Sequence, residues 1–203
     1  MGIENVRFRP DKVVFGRYPF PGARVHPSGS VPWSEVVEVD PDAAPPELRI
    51  AGETLFVAAT RRDDLRRAAE AHGVPVVSRY DVWDLLLEPF LDTTFDSEQQ
   101  AATVELLGRN GISPEEVRRI REAVGKRMLA YNALLWDWVH LGMYDLLSAH
   151  RPGAVARLLG GDGEFRERYR WAQEIAQRAI IRDQGRPAVP DEPAGGAGTP
   201  AAS

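Results

Sequence analysis

Through the first third of the chain, hydrophobic and polar positions tend to alternate with a period of two, the signature of half-buried strands. Residues 6–9 and 13–18 are short β-type runs, broken at Pro10-Asp11 and at Pro19-Phe20-Pro21-Gly22. Residues 31–39 (VPWSEVVEV) place Val31, Trp33, Val37 and Val39 on one face of a single expected strand, with Val36 out of step on the polar face. Residues 47–50 and 53–58 flank Ala51-Gly52, a two-residue hairpin signal, and their inward positions are Leu48, Ile50, Leu55 and Val57. The period then changes. Residues 61–72 read as an amphipathic helix burying Leu65, Ala68 and Ala69, with Gly73 as its C-cap, and 74–77 as one last strand.

From Asp81 onward the pattern is helical. Asp81 and Asp84 stand as N-cap and N3 acid of a short helix that Glu88-Pro89 ends. Asp96 and Gln99 open a helix closed by Asn110-Gly111. Ser113-Pro114-Glu115-Glu116 combines N-cap, proline at N1 and glutamate at N3, the clearest boundary in the chain. The helix it starts is expected to run to His150, bent at Gly125 and broken by Arg151-Pro152-Gly153. A helical turn over 154–159 and a last amphipathic helix over 164–184 follow, the latter burying Phe165, Tyr169, Ala172, Ile175, Ala176 and Ala179.

Fold class is therefore α+β: a β-rich unit with one helix (1–78), a helical unit (79–184) and a Gly-, Pro- and Ala-rich tail (185–203) that cannot bury enough surface to offset its ordering entropy. Residues 83–95, dense in Trp83, Leu85, Leu86, Leu87, Phe90, Leu91 and Phe95, are expected to join the two units. Several antiparallel strands closed by a helix, with the Pro32-Trp33-Ser34-Glu35-Val36 stretch, resemble in element order the small pleckstrin-homology-type folds of bacteria. Gly160–Phe165 (GGDGEF) resembles the signature of diguanylate cyclases with an extra glycine. It lies between helices, where a C-cap glycine and Asp162 as N-cap account for it, so no cyclase is expected.

Residues 127–149 carry the candidate chemistry. Placed on a helical wheel, Met128, Leu135, Trp136, Val139, Met143, Leu146 and Leu147 gather around Asn132, flanked by Tyr131, Leu134 and Trp138. Lys126, Arg127, Asp137, Asp145 and Ser148 leave only a narrow polar arc, so this helix is expected to be buried nearly all round. Asn132 then sits where an unpartnered amide costs about 1–3 kcal/mol. It either bonds a neighbouring backbone or lines a pocket, where Trp136, Trp138 and Trp83 are the companion binding candidates. Asp137, His140 and Tyr144 fall at i, i+3 and i+7, which puts an acid, an imidazole and a phenol on one side. The bland alternative is an interfacial histidine with local hydrogen bonds.

Asp81, Asp84, Glu88 and Asp92 stand at near-helical spacing, a set that could hold a cation, though capping already accounts for the first two. Arg118, Arg119, Arg121, Lys126 and Arg127 form a basic run interleaved with Glu115, Glu116 and Glu122, the pattern of a salt-bridged solvated face.

Composition narrows the classes. The chain has 203 residues and no cysteine, which excludes disulfides, thiolate metal sites and cysteine nucleophiles. Net charge is −5 and neither half is basic, so no nucleic-acid partner is expected. The absence of a long apolar run and of a signal-peptide core leads to the expectation of a cytoplasmic protein without a membrane partner. Arginine-heavy positive charge, with Lys12 and Lys126 the only lysines, fits a GC-rich bacterial genome. No cofactor is expected. The leading expectation is a non-catalytic binding module for a protein partner or small ligand, with homo-oligomerisation left open; the second is a small hydrolase using Asp137 and His140, or the acids between Asp81 and Asp92.

Overall fold

The computed structural model describes residues 2–91, 97–135, 140–153 and 161–180. Strands β1 (Val6–Phe8), β2 (Lys12–Phe15) and β3 (Gly29–Pro32) form one antiparallel sheet in that order. Strands β4 (Val36–Asp40), β5 (Glu47–Ile50) and β6 (Glu53–Phe56) form a second. Helices α1 (Arg62–Ala71), α2 (Val82–Leu87), α3 (Ser97–Arg109), α4 (Pro114–Leu135), α5 (Met143–His150) and α6 (Gly161–Ala176) complete the α+β fold among the described residues.

The expected strand over 31–39 is two strands in two sheets. A 3-10 turn at Trp33–Glu35 divides it, and Val36, the residue out of step in the alternation, is where the second strand begins. Trp33 holds the corner: its indole N–H donates to the Arg9 carbonyl at 2.9 Å, and its ring stacks on His72 with centroids 4.6 Å apart. The hairpin at Ala51-Gly52 forms as its turn residues require, with Gly52 at φ +75. Residues 74–77 supply only a parallel bridge from Val76 to Val39.

Both faces of the second sheet are covered. The row Val39, Leu48 and Leu55 is wholly buried in the apolar core. The opposite face carries Glu38 beside Arg49 and Thr54, and Asp40 beside Glu47 and Phe56. It is covered by α6 and by the strap at residues 75–80. Arg79 secures that strap: its guanidinium takes both carboxylate oxygens of Glu38, the Nη2–Oε2 contact being 2.8 Å, while Nη1 donates to the Ala179 carbonyl at 2.7 Å.

Phe20, in the loop between β2 and β3, packs at once on Phe56, Tyr144, Phe165 and Tyr169, so one side chain ties β6, α5 and α6 together. Each such aromatic pair adds about 0.5–1.5 kcal/mol beyond its buried area. Trp83 is fully buried and donates its indole N–H to the Ala172 carbonyl at 3.0 Å, joining α2 to α6. The stripe expected on the last helix, from Phe165 to Ala179, is buried throughout, but α6 ends at Ala176 rather than near 184, so Ala179 lies beyond it.

The long central helix is a correction. Residues 140–142 are not helical, and α5 begins at Met143 after an extended Gly142, so no single helix runs on to His150. Asp145 therefore falls in a first turn rather than on a solvent arc. It is buried and accepts the Gly142 N–H at 3.0 Å, capping α5. Asp162, expected as an N-cap, lies instead within the first turn of α6. The expected turn of helix at 154–159 and the tail at 185–203 lie outside the described residues.

Candidate functional site

The chemistry-bearing residues meet where the β4–β5 loop, the start of α2 and the stretch before α5 converge. Asp81 caps α2, its Oδ1 accepting the N–H groups of Trp83 at 2.8 Å and Asp84 at 3.2 Å. Asp84, in the first turn, turns its carboxylate to His140, with Oδ1 3.1 Å from Nδ1. The other ring nitrogen of His140 lies 3.2 Å from the Ala44 carbonyl. A carboxylate and a carbonyl both accept, so both nitrogens donate and the ring is an imidazolium. The hydrogen bond to Asp84 pushes its pKa up to about 9, against the opposing effect of partial burial. The acid that pairs with His140 is thus Asp84, 56 residues away in sequence, whereas Asp137, the expected partner, lies outside the described residues.

Glycine at 142 makes this convergence possible. A Cβ there would stand 2.6 Å from Asp81 Oδ2 and 3.3 Å from His140 Nε2. Burial, with the Asp84 charge added, raises Asp81 to about 6, partly offset by His140. Glu47 rises to about 7 for the same first reason, its pairing with Arg49 at 3.3 Å opposing the shift. Asp81 and Glu47 line, with Asp40, Arg49 and Arg79, a cavity of about 20 Å³. That is room for about one water molecule and no substrate. Five carboxyl groups (Glu38, Asp40, Glu47, Asp81 and Asp84) face two guanidinium groups and one imidazolium here. Burial raises two of these acids, and the excess of negative charge around them adds to that shift.

The other candidates are placed apart. Asn132 is 9% exposed, and its Nδ2 donates to the carbonyl of Phe90, the last residue of the 3-10 turn that follows α2, at 3.1 Å. Tyr144 packs its ring on Phe20 and Phe56 and reaches the Gly2 carbonyl only at 3.5 Å. Trp83 spends its polar atom within the chain. Trp136 and Trp138 lie outside the described residues, as does Asp92. Glu88 accepts from the Thr103 hydroxyl at 2.7 Å rather than facing Asp81 and Asp84. Among the described residues, no group of three or more His, Asp or Glu is arranged to hold a metal ion. Nor is any described helix long and apolar enough to cross a membrane.

A wider opening lies elsewhere. An open groove of about 740 Å³ runs between α3 and α4, floored by Ala101, Val104, Pro114 and Val117. Glu105, Arg118, Arg121 and Glu122 line it as well. Arg121 is fixed from below, its Nε and Nη2 donating to the carbonyls of Leu86 at 3.1 Å and Leu85 at 3.2 Å. The residue pattern signalled only two helices here; the groove depends on how they are placed against each other.

Compared with protein-family models, with curated proteins and with solved structures, the chain matches none.

Proposed function

We propose that the chain is a non-catalytic binding module that holds an amphipathic helical segment of a protein partner in the α3–α4 groove. The groove itself carries this reading. Small apolar side chains line its floor, and charges of both signs stand beside them, the arrangement that helix-in-groove recognition uses. Its anchored Arg121 is pre-positioned, so less ordering entropy opposes binding there. The hydrolase alternative has its acid and imidazole in Asp84 and His140. Neither imidazole nitrogen, however, has a free lone pair to accept a proton, and the adjoining cavity has no room for a substrate.

A photo-crosslinking residue placed at Ala101 tests the proposal, with one at Arg170 on α6 as the off-groove comparison. A partner captured at Ala101, absent at Arg170 and lost when Val104→Asp is added, supports groove binding. The same set captured from both positions, or capture indifferent to Val104→Asp, rejects it.

A further inference from the structure

The basic run around Arg121–Arg127 does not form one salt-bridged face. Arg121 turns to the carbonyls of α2, while Arg127 joins Arg151 and Arg168 around a separate cavity of about 200 Å³. Helix α4 contributes Arg127, the end of α5 contributes His150 and Arg151, and the first turns of α6 contribute Gly161, Glu164 and Arg168. None of the three arginines forms an ion pair among the described residues. Arg168 instead lies over the Trp171 ring at 6.0 Å.

His150 is the second observation. It is 5% exposed, its Nδ1 donates to the Leu146 carbonyl at 2.8 Å, and its Nε2 carries no hydrogen bond among the described residues. Its ring lines the cavity. We infer that this cavity is an anion site for a phosphate-monoester group, clamped by Arg127, Arg151 and Arg168 with His150 at its base.

Charge and size both fit. Three guanidinium groups against the single carboxylate of Glu164 leave an excess of two positive charges, which a phosphate dianion neutralises. The N-terminus of α6 adds roughly half a unit of positive dipole charge. The C-terminus of α5 brings about the same amount of negative charge, so the two helix ends cancel and the arginines decide. A volume of about 200 Å³ is several times the roughly 30 Å³ share of one water, and below the ~300–1,000 Å³ of whole-ligand pockets. It therefore takes a phosphate and a few attached atoms, with the rest of the ligand outside.

The histidine narrows the chemistry further. With Nδ1–H committed to Leu146, Nε2 presents a lone pair, which suits the protonated oxygen of a phosphate monoanion or a neighbouring hydroxyl group. Burial holds the ring neutral, with a pKa down at about 4, and Arg168 and Arg127 add to that effect against Glu164. A bound anion screens those two guanidinium groups and lets the ring accept a proton.

The test is calorimetric titration of the full chain with inorganic phosphate, glycerol 3-phosphate and sulfate at fixed ionic strength, alongside flotation with vesicles containing phosphatidic acid. Binding of the soluble phosphates, weakened roughly tenfold or more in Arg151→Gln and in Arg168→Gln but unchanged in Arg62→Gln, is expected, the loss being that of one charge-assisted hydrogen bond. Selective binding to the vesicles, lost in the same two variants, assigns the phosphate to a lipid headgroup. Phosphate should also move the His150 ring resonances. Phosphate affinity equal in wild type and in the Arg151→Gln/Arg168→Gln double variant, or no binding to any probe, overturns the inference. Arg151 is exposed, so its replacement leaves the fold intact and the comparison interpretable.

Discussion

Gln173 and Thr54 pair as two strand residues would. The Thr54 N–H donates to Gln173 Oε1 at 2.8 Å, and Gln173 Nε2 donates to the Thr54 carbonyl at 2.9 Å. Strand β6 is the edge of its sheet, and an edge strand presents unpaired backbone groups that must find partners when buried. A single amide on α6 satisfies both groups and fixes how the helical part sits on the β part. Gln173→Leu should cost about 1–3 kcal/mol, the desolvation penalty of orphaned buried groups. Gln173→Glu keeps the acceptor but loses the donor, and should be destabilised as well. Urea unfolding of both variants checks this; stability within experimental error of wild type would show that water replaces the amide at no cost.

Stability should fall as pH rises from about 4 to about 9. Asp81 and Glu47 rise from ordinary carboxyl values to about 6 and about 7 in the fold, and His140 rises from 6.5 to about 9. In each case the folded chain binds more protons than the unfolded chain between the two values, so raising pH through that window favours unfolding. The acids act below about pH 7 and His140 above 6.5, while His150, held down at about 4, opposes the two acids below pH 6.5 without outweighing them together. Asp81→Asn keeps a helix cap, since asparagine caps as well as aspartate. It should flatten the acid part of the curve and raise the melting temperature at pH 8 relative to wild type. A wild-type melting temperature that climbs steadily between pH 5 and pH 8 would contradict these shifts.

His140 and Asp84 show what was legible in the sequence and what was not. Cap and turn signals are local, so Asp81, Ser113-Pro114 and Ala51-Gly52 announced their elements, and the structure places them so. The partner of His140 is set by the non-helical stretch just before α5. The apolar run across 127–149 hid that break, because a wheel drawn through it still looks continuous. Gly142 was the available signal, a glycine with an acid three residues on, but a buried helix tolerates glycine and the cap reading was not separable from it. Phe20 was hidden for the opposite reason: turn residues surround it, and its burial comes from elements more than 30 residues away. The groove and the arginine cavity depend on helix placement, to which residue periodicity is blind.

Asn132→Asp should destabilise the protein by about 1–3 kcal/mol at neutral pH. The amide donates to the Phe90 carbonyl, and a carboxylate there can only accept, so two acceptors would face each other in a buried site. Asn132→Leu removes the bond without adding a charge and should cost less. Chemical denaturation of the two variants at pH 7.5 and pH 5 separates them. The aspartate deficit should shrink at the lower pH as the carboxyl takes up a proton and regains a donor. Equal stability of wild type and Asn132→Asp at pH 7.5 would mean the Phe90 contact carries no weight.

Gly142→Ala should be destabilising for a reason that lies in Asp81 and not in the backbone. The conformation at 142, φ −115 and ψ −169, is extended and open to any residue. The obstacle is the Asp81 carboxylate, 2.6 Å from where the methyl group would stand. Overpacking of this kind costs about 1–3 kcal/mol. The obstructing atom is the end of a short side chain, so removing it should relieve most of the penalty. Asp81→Ser retains a capping hydroxyl but withdraws the second oxygen. The Gly142→Ala/Asp81→Ser double variant should therefore be more stable than the sum of the single effects, by about 0.5–3 kcal/mol of coupling. Strict additivity in thermal denaturation would place the cost in the backbone turn and would remove the close approach of these two residues as the reason for glycine.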